Sequence, residues 1–166
     1  MSFPGRCRIA ERLSIRAIDI ADPAWAGRVL ALQRLSYRTE AELIGRDDIP
    51  PLHETIEELQ ACGEHFCVSL AGTSLAGAVA YKIAGDTLDL HRVMVHPQYL
   101  RRGIASALIG FVAAREHGTR RIIVSTASRN TPARRLYARL GFRETGEHEV
   151  APGLWIIGFE KMRDRA

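Results

Sequence analysis

The stretch from Val93 to Ala105, reading VMVHPQYLRRGIA, carries residue types suited to holding an anion. Val93 and Val95 share one face of a strand that Pro97 stops, because proline has no N–H to give a ladder. Arg101 and Arg102 follow, and Gly103 opens a helix predicted to run to about His117. The first amides of a helix have no partner within it, and the helix dipole adds partial positive charge there. A glycine at that point lets an anion approach the backbone. The chemistry expected is pyrophosphate binding, weighed against a plain structural turn with solvated arginines. Asp89 and His91 alternate along the strand entering this turn and share a face if no bulge intervenes. A histidine there is suited to accepting a proton near neutral pH, although a lone strand histidine also serves as ordinary packing. Cys62, His65 and Cys67 stand close together, but no second ligand pair follows at finger-like spacing. They predict packing, not a metal site.

Short elements supply the scaffold for these groups. Residues 1–11 show no clear period and read as a loose N-terminal tail. Leu13 to Ile18 alternates as a first strand. Asp22 caps and Pro23 opens a helix that keeps its spacing to about Leu43, where Gly45 and the stretch 47–51 break it. A second helix is expected from about Leu52 to Ala61, with Ile56 and Leu59 inward. Phe66–Leu70, Leu75–Ile83 and Thr87–Val95 read as a meander with turns at Gly72 and Gly85. The helix after Gly103 has Ile104, Leu108, Phe111 and Val112 as its apolar stripe and Gly118 as its stop. Arg121–Ser125 reads as a strand buried on both faces. Thr131 is expected to cap a last helix, with Pro132 at its first position, Leu136, Tyr137 and Leu140 on its stripe, and Gly141 at its end. Phe142–Val150 and Leu154–Lys161 form a closing hairpin around Pro152 and Gly153. The order β-α-α-β-β-β-α-β-α-β-β, without repeats or linkers, predicts a single α/β domain over residues 1–166 with a mixed sheet.

Composition bounds the function. The chain has 166 residues, the size of one domain, and a 46% hydrophobic share that argues for a real core and against disorder. The net charge is +4, carried by arginine, since the only lysines are Lys82 and Lys161. Three cysteines, Cys7, Cys62 and Cys67, make no even disulfide framework and fit a reducing compartment. Neither a charged-then-apolar leader nor a long apolar run is present, so a cytoplasmic protein is expected. The arginine pairs 101–102, 120–121 and 134–135 raise nucleic-acid binding, but no aromatic interleaving supports it.

Two motifs then give the chain a family resemblance. Val95-His96-Pro97 through Arg101-Arg102-Gly103-Ile104-Ala105 is similar to a V-x-P segment followed by R/Q-x-x-G-x-G/A. Asn130-Thr131-Pro132-Ala133, with Leu136-Tyr137 and Leu140-Gly141-Phe142, is similar to N-x-x-A-x-x-L-Y-x-x-x-G-F. In this spacing and element order they resemble the GNAT superfamily of acyl-CoA-dependent N-acyltransferases, from about Leu13 to the C-terminus. The stretch AELIGRDDIPPLHET is similar to small bacterial members. Leu100 departs from the family's usual Arg or Gln, which shifts the work onto backbone amides.

The resemblance implies a GNAT fold, with a mixed sheet of about seven strands splayed between the fourth and fifth and flanked by about four helices. It implies transfer of an acetyl group from acetyl-CoA, as co-substrate and without a metal, to a primary amine of a small molecule through a ternary complex. A peptide or protein N-terminus is the alternative acceptor, and a non-catalytic acyl-CoA-binding regulatory module is the alternative class. Homodimers are frequent among similar proteins; no nucleic-acid or membrane partner is expected.

Residue by residue, the resemblance puts the pyrophosphate on Leu100, Arg101, Arg102, Gly103, Ile104 and Ala105. Val93, Met94 and Val95 would offer backbone groups to the pantetheine arm, with the Val95 amide as oxyanion donor. Asn130 would bond that arm, and Arg134 would meet the nucleotide end. Tyr137 would give a proton to the leaving thiolate, although its place on an apolar stripe also suits a core aromatic. His91, with Asp89 beside it, is the candidate general base; a base acting through water is the alternative. Tyr37, Glu40, Glu42 and Glu54 would form the amine-binding wall, in a stretch whose acidity, with Asp47 and Asp48, suits a cationic amine.

Overall fold

The computed structural model describes residues 12–164; the tail expected over residues 1–11 lies outside them. Strands Leu13–Ile18 (β1), His65–Ala71 (β2), Ser74–Ala84 (β3), Thr87–Val95 (β4), Arg121–Ala127 (β5), Arg143–Ala151 (β6) and Leu154–Met162 (β7) form one seven-stranded sheet in the order β1-β2-β3-β4-β5-β7-β6. Every neighbouring pair is antiparallel except β4 and β5. A parallel pair needs a crossover, and helix Ile104–Arg115 (α3) supplies it. Helices Pro23–Ile44 (α1) and Ile56–Gln60 (α2) cover one face of the sheet, where Val29, Leu32 and Leu59 pack on Phe66, Val68 and Met94. Helices α3 and Thr131–Arg139 (α4) cover the other, where Leu108, Val112 and Tyr137 pack on Val79, Leu90 and Phe159. Leu108 and Val112 are wholly buried, each contributing about 1.5–3 kcal/mol of apolar burial. The mixed α/β sheet and its four helices are those the resemblance implies.

Local chemistry accounts for the helix ends. The Asp22 side chain accepts the Ala24 amide at the start of α1, and Gly45, at φ 72°, closes it in the left-handed region. The second helix is shorter than its sequence suggested. Pro50–Leu52 forms a 3-10 turn, and α2 begins only at Ile56, behind a capping box of Thr55 and Glu58. The cap of α4 is Asn130, not Thr131: the Asn130 side chain accepts the Ala133 amide, and Thr131 and Pro132 occupy the first turn. Helix α3 ends at Arg115, ahead of Gly118. Gly77 on β3 lets α3 come close. A Cβ there would lie 2.7 Å from Ile104 Cγ2, 2.9 Å from the Met94 carbonyl oxygen and 3.1 Å from Leu108 Cδ1.

Strand β4 contains a bulge. Ala80 pairs with Arg92 while its neighbour Tyr81 pairs with Leu90, so His91 is the extra residue. The bulge swaps the alternation. Leu88 and Leu90 face α3, and so do Val93 and Val95; Met94 faces α1. An unbroken strand would have put Leu90 and Met94 on one face.

Candidate active site

β4 and β5 pair only from Thr87 with Arg121 to Leu90 with Val124. β4 then runs on to Val95 beside β3, and β5 runs on to Ala127 beside β7. Between them opens the expected splay. The His96 amide donates to the Ala76 carbonyl. By alternation along an antiparallel ladder, Arg92 and Met94 also turn their backbone groups toward β3. Val93 and Val95 therefore present their N–H and C=O to the cleft. A cavity of about 300 Å³ lies there, lined by Tyr37 and Glu40 of α1 on one face of the sheet and by Asn130 and Tyr137 at α4 on the other. His91, Arg92 and Val93 of β4 and Ser125 to Ala127 of β5 also line it; Val95 does not.

Past β4, the chain makes a 3-10 turn over Pro97–Tyr99, capped by the His96 ring, which accepts the Gln98 amide. Arg101 then adopts φ 60° and Gly103 φ 75°. A left-handed arginine is strained by roughly 1–2 kcal/mol, and such strain collects at functional turns. The first helical bond is from the Ala107 amide to the Gly103 carbonyl, so the amides of Ile104, Ala105 and Ser106 precede the ladder and face outward from the helix end. A Cβ on Gly103 would meet nothing within 4 Å. Arg101, Arg102 and Leu100 are exposed, with the Arg102 guanidinium 5.2 Å over the Tyr99 ring.

Tyr137 is 4% exposed and packs against Phe142 and Phe159, at ring-centroid distances of 5.8 and 5.4 Å. Its hydroxyl takes no hydrogen-bond partner among the described residues and borders the cavity. Burial, with Glu40 adding to it, holds its pKa well above the ordinary phenol value. Burial and Glu40 do the same to Tyr37. Burial raises the Glu40 carboxyl, and the neighbouring Asn130 side chain pulls it back. Glu42 is exposed on α1 and lines neither this cavity nor its neighbour. Arg134 is held by the Ser128 carbonyl and by Glu144, both at 3.0 Å.

His91, the bulged residue, keeps Asp89 as a neighbour despite the break in alternation. Its Nε2 lies 3.1 Å from Asp89 Oδ2 and its Nδ1 lies 2.7 Å from Glu64 Oε1. The other oxygen of Glu64 belongs to Arg92, which also holds Glu54. Burial works against the Glu54 carboxylate, yet bonds from Arg92 and Gln33 hold its pKa below the ordinary range. Gln33, fully buried in α1, gives its amide to the Pro51 carbonyl and Glu54 and accepts from Arg92.

Sequence reasoning placed Glu54 on the wall but missed Gln33, Glu64 and Arg92. A glutamine on an otherwise apolar helical stripe was the available signal for Gln33. Glu64 and Arg92 had none, because their partners are distant in the chain. Asn130, Tyr137, Tyr37, Glu40, His91 and Val93 are brought around the splay; the turn residues Leu100–Ala105 lie past the end of β4 and, like Glu42, line neither cavity. Among the described residues no group of His, Cys, Asp or Glu is arranged to hold a metal ion.

Residues 29–142, more than half of the chain, match the family model described as the acetyltransferase (GNAT) family. The UPF0157 protein YqkA of Bacillus subtilis is 37% identical over 134 residues, covering 81% of this chain and 39% of YqkA. The N-acetylaspartate synthetase of Rattus norvegicus is 30% identical over 106 residues, covering 60% of this chain and 36% of that protein. The chain thus spans less than two fifths of the length of these relatives. The PaiA N-acetyltransferase of Thermoplasma acidophilum, solved in complex with coenzyme A, superposes with a TM-score of 0.72 at 17% identity, over 92% of this chain and 99% of that one.

Proposed function

We propose that this chain, which belongs to the GNAT family of acetyltransferases, acts with an acyl-CoA donor and acetylates the primary amine of a small molecule. The observation that carries this reading is the splay between β4 and β5. There an unpaired backbone edge, a free tyrosine hydroxyl and a carboxylate-bearing wall meet in one cavity.

The residues present fit coenzyme A. The open turn of Leu100 to Ala105, with two left-handed residues and the first amides of α3, suits a pyrophosphate, and Arg101 and Arg102 add charge. Leu100 contributes backbone only. The N–H and C=O of Val93 and Val95 suit a strand-like pantetheine arm, and Asn130 stands across the cleft with its side chain engaged by the Ala133 amide and beside Glu40. Bound acetyl-CoA supplies the thioester whose carbonyl carbon the amine attacks; the C–N bond forms and the C–S bond breaks.

The chain's residues support each need of that reaction. Val93 borders the cavity where Val95 does not, so we assign the oxyanion-stabilising amide to Val93. Tyr137 remains protonated at neutral pH and gives its proton to the departing sulfur. Glu40 and Tyr37 hold the amine end of the acceptor. His91 already has a carboxylate at each ring nitrogen, which favours transfer of the amine proton through water held by this cluster over direct abstraction by the ring.

Thermal shift with acetyl-CoA, CoA and ATP is the first test, with stabilisation by both CoA forms and none by ATP expected. A thiol-release screen over primary amines, aspartate and short peptides then reads the acceptor. No stabilisation by either CoA form removes the donor assignment, and release with peptides alone removes the small-molecule acceptor.

A further inference from the structure

Beside the candidate active-site cavity lies a second, of about 580 Å³, lined by His53, Glu54, Glu58 and Glu64, and the two share Tyr37, Pro50, Pro51, His91 and Arg92. Among the described residues Arg92 is the one arginine or lysine lining either. In an amine acetyltransferase such a residue is the natural candidate to receive an acceptor's carboxylate. Its hydrogen bonds say otherwise.

A guanidinium has five N–H donors in a fixed fork. Here Nε and Nη2 both reach Glu64 Oε2, at 2.8 and 2.7 Å. Nη2 also reaches Glu54 Oε1 at 3.1 Å, and Nη1 reaches Glu54 Oε2 at 2.5 Å and Gln33 Oε1 at 2.7 Å. Each of the three guanidinium nitrogens is hydrogen-bonded inside the protein. Gln33 is closed in the same way, with its amide on the Pro51 carbonyl and Glu54. The network spans α1, the segment before α2, β2's leading edge and the β4 bulge, and Glu64 is only 5% exposed in its side chain. Two carboxylates against one guanidinium leave one net negative charge beside the cavity. Glu40, inside it, has no ion-pair partner among the described residues.

We propose that the sequestration of Arg92 makes this site select cationic amines that carry no carboxylate, and that Arg92, with Glu54 and Glu64, is the specificity-determining unit. Among the described residues lining the two cavities an entering carboxylate finds no free arginine or lysine and meets the carboxylates of Glu40, Glu54 and Glu64, to which an ammonium is drawn. The proposal rests on the acetyl-transfer reading above and adds the acceptor class to it.

The test compares acceptors that differ only by a carboxylate, using the full chain and acetyl-CoA: 1,4-diaminobutane against ornithine, and 2-phenylethylamine against phenylalanine. The carboxylate-free member of each pair should have kcat/KM higher by about 10²-fold, as expected for like-charge exclusion. In E64Q and E54Q, each of which removes a charge and loosens the hold on Arg92, that ratio should narrow to about 10-fold or less. The ratio is taken within one variant, so a loss of folded protein cancels, and either variant suffices if the other does not fold. Equal or better use of the carboxylated members by the native protein overturns the proposal. So does a ratio unmoved in the folded variants. Absence of turnover with all four amines while acetyl-CoA still raises Tm overturns the acceptor class and leaves donor binding standing. Absence of any stabilisation by acetyl-CoA overturns the underlying reading and this one with it.

Discussion

Tyr137 combines the burial of a core aromatic with a hydroxyl that has no hydrogen-bond partner among the described residues, so its packing is compatible with the proton-donor role proposed for it. Y137F should lower kcat by about 10²-fold or less, while the Tm rise produced by CoA stays as in the native protein, because only the hydroxyl is lost. The thiol leaving group, with an ordinary pKa of about 8.5, departs fairly well unaided, which is why the loss is moderate. Turnover unchanged across the pH range would remove the role. Tyr137 and the Arg101–Ala105 turn were legible in the sequence because each belongs to a run of neighbouring residues. Arg92 was not. It meets Gln33 across 59 positions and Glu64 across 28, and nothing local to it distinguishes a buried strut from a solvated strand arginine.

At the scale of elements, the seat of α3 on the sheet decides where the turn proposed to bind the pyrophosphate stands. Gly77 makes that seat possible, since a Cβ would press on Ile104, Leu108 and the Met94 carbonyl. G77A should cost about 1–3 kcal/mol by overpacking, seen as a Tm lower by several degrees. G103A is a different case. There is space for the methyl group, but the residue sits at φ 75°. It should cost about 1–2 kcal/mol from the left-handed conformation, and acetyl-CoA affinity measured by titration should fall with it, whereas acceptor KM should not move. The order of the elements was readable from periodicity and turn residues. The start of α2 was not, because Pro50 and Pro51 support a 3-10 turn as well as a first helical turn and the Thr55–Glu58 box settles the matter further on. The bulge was unreadable for a related reason: an alternating pattern contains no mark of one residue too many.

Across the whole molecule, two carboxylates of the site pull stability in opposite directions with pH. Glu54 is held below its ordinary pKa by Arg92 and Gln33 against burial. Its contribution is present above the unfolded-state value and is lost as pH falls through the lower folded one. Burial raises Glu40, so its neutral form favours folding below the unfolded-state value, and that advantage is lost as pH rises through the higher folded one. E54Q should therefore melt lower than the native protein at pH 7 and converge with it in acid. E40Q should melt higher at pH 7, with the difference vanishing in acid. Melts from pH 3 to 8 check both, and a constant offset in either would refute the linkage. The bulge at His91 has one more consequence, which concerns chain length and not chemistry. It acts as a phase shift in the strand: residues before it and residues after it are assigned to opposite beats of the same alternation. Any side chain can fill the extra place at position 91, so H91A should fold; and because Leu90 pairs with Tyr81 and Arg92 with Ala80, removal of the residue should close the bulge into a regular ladder and leave Val93 and Val95 on the faces they now occupy, which a soluble, cooperatively melting deletion variant would check. For this strand the extra residue is therefore a supernumerary beat: losing it returns the plain rhythm, whereas losing either paired neighbour, Leu90 or Arg92, removes a partner from the ladder.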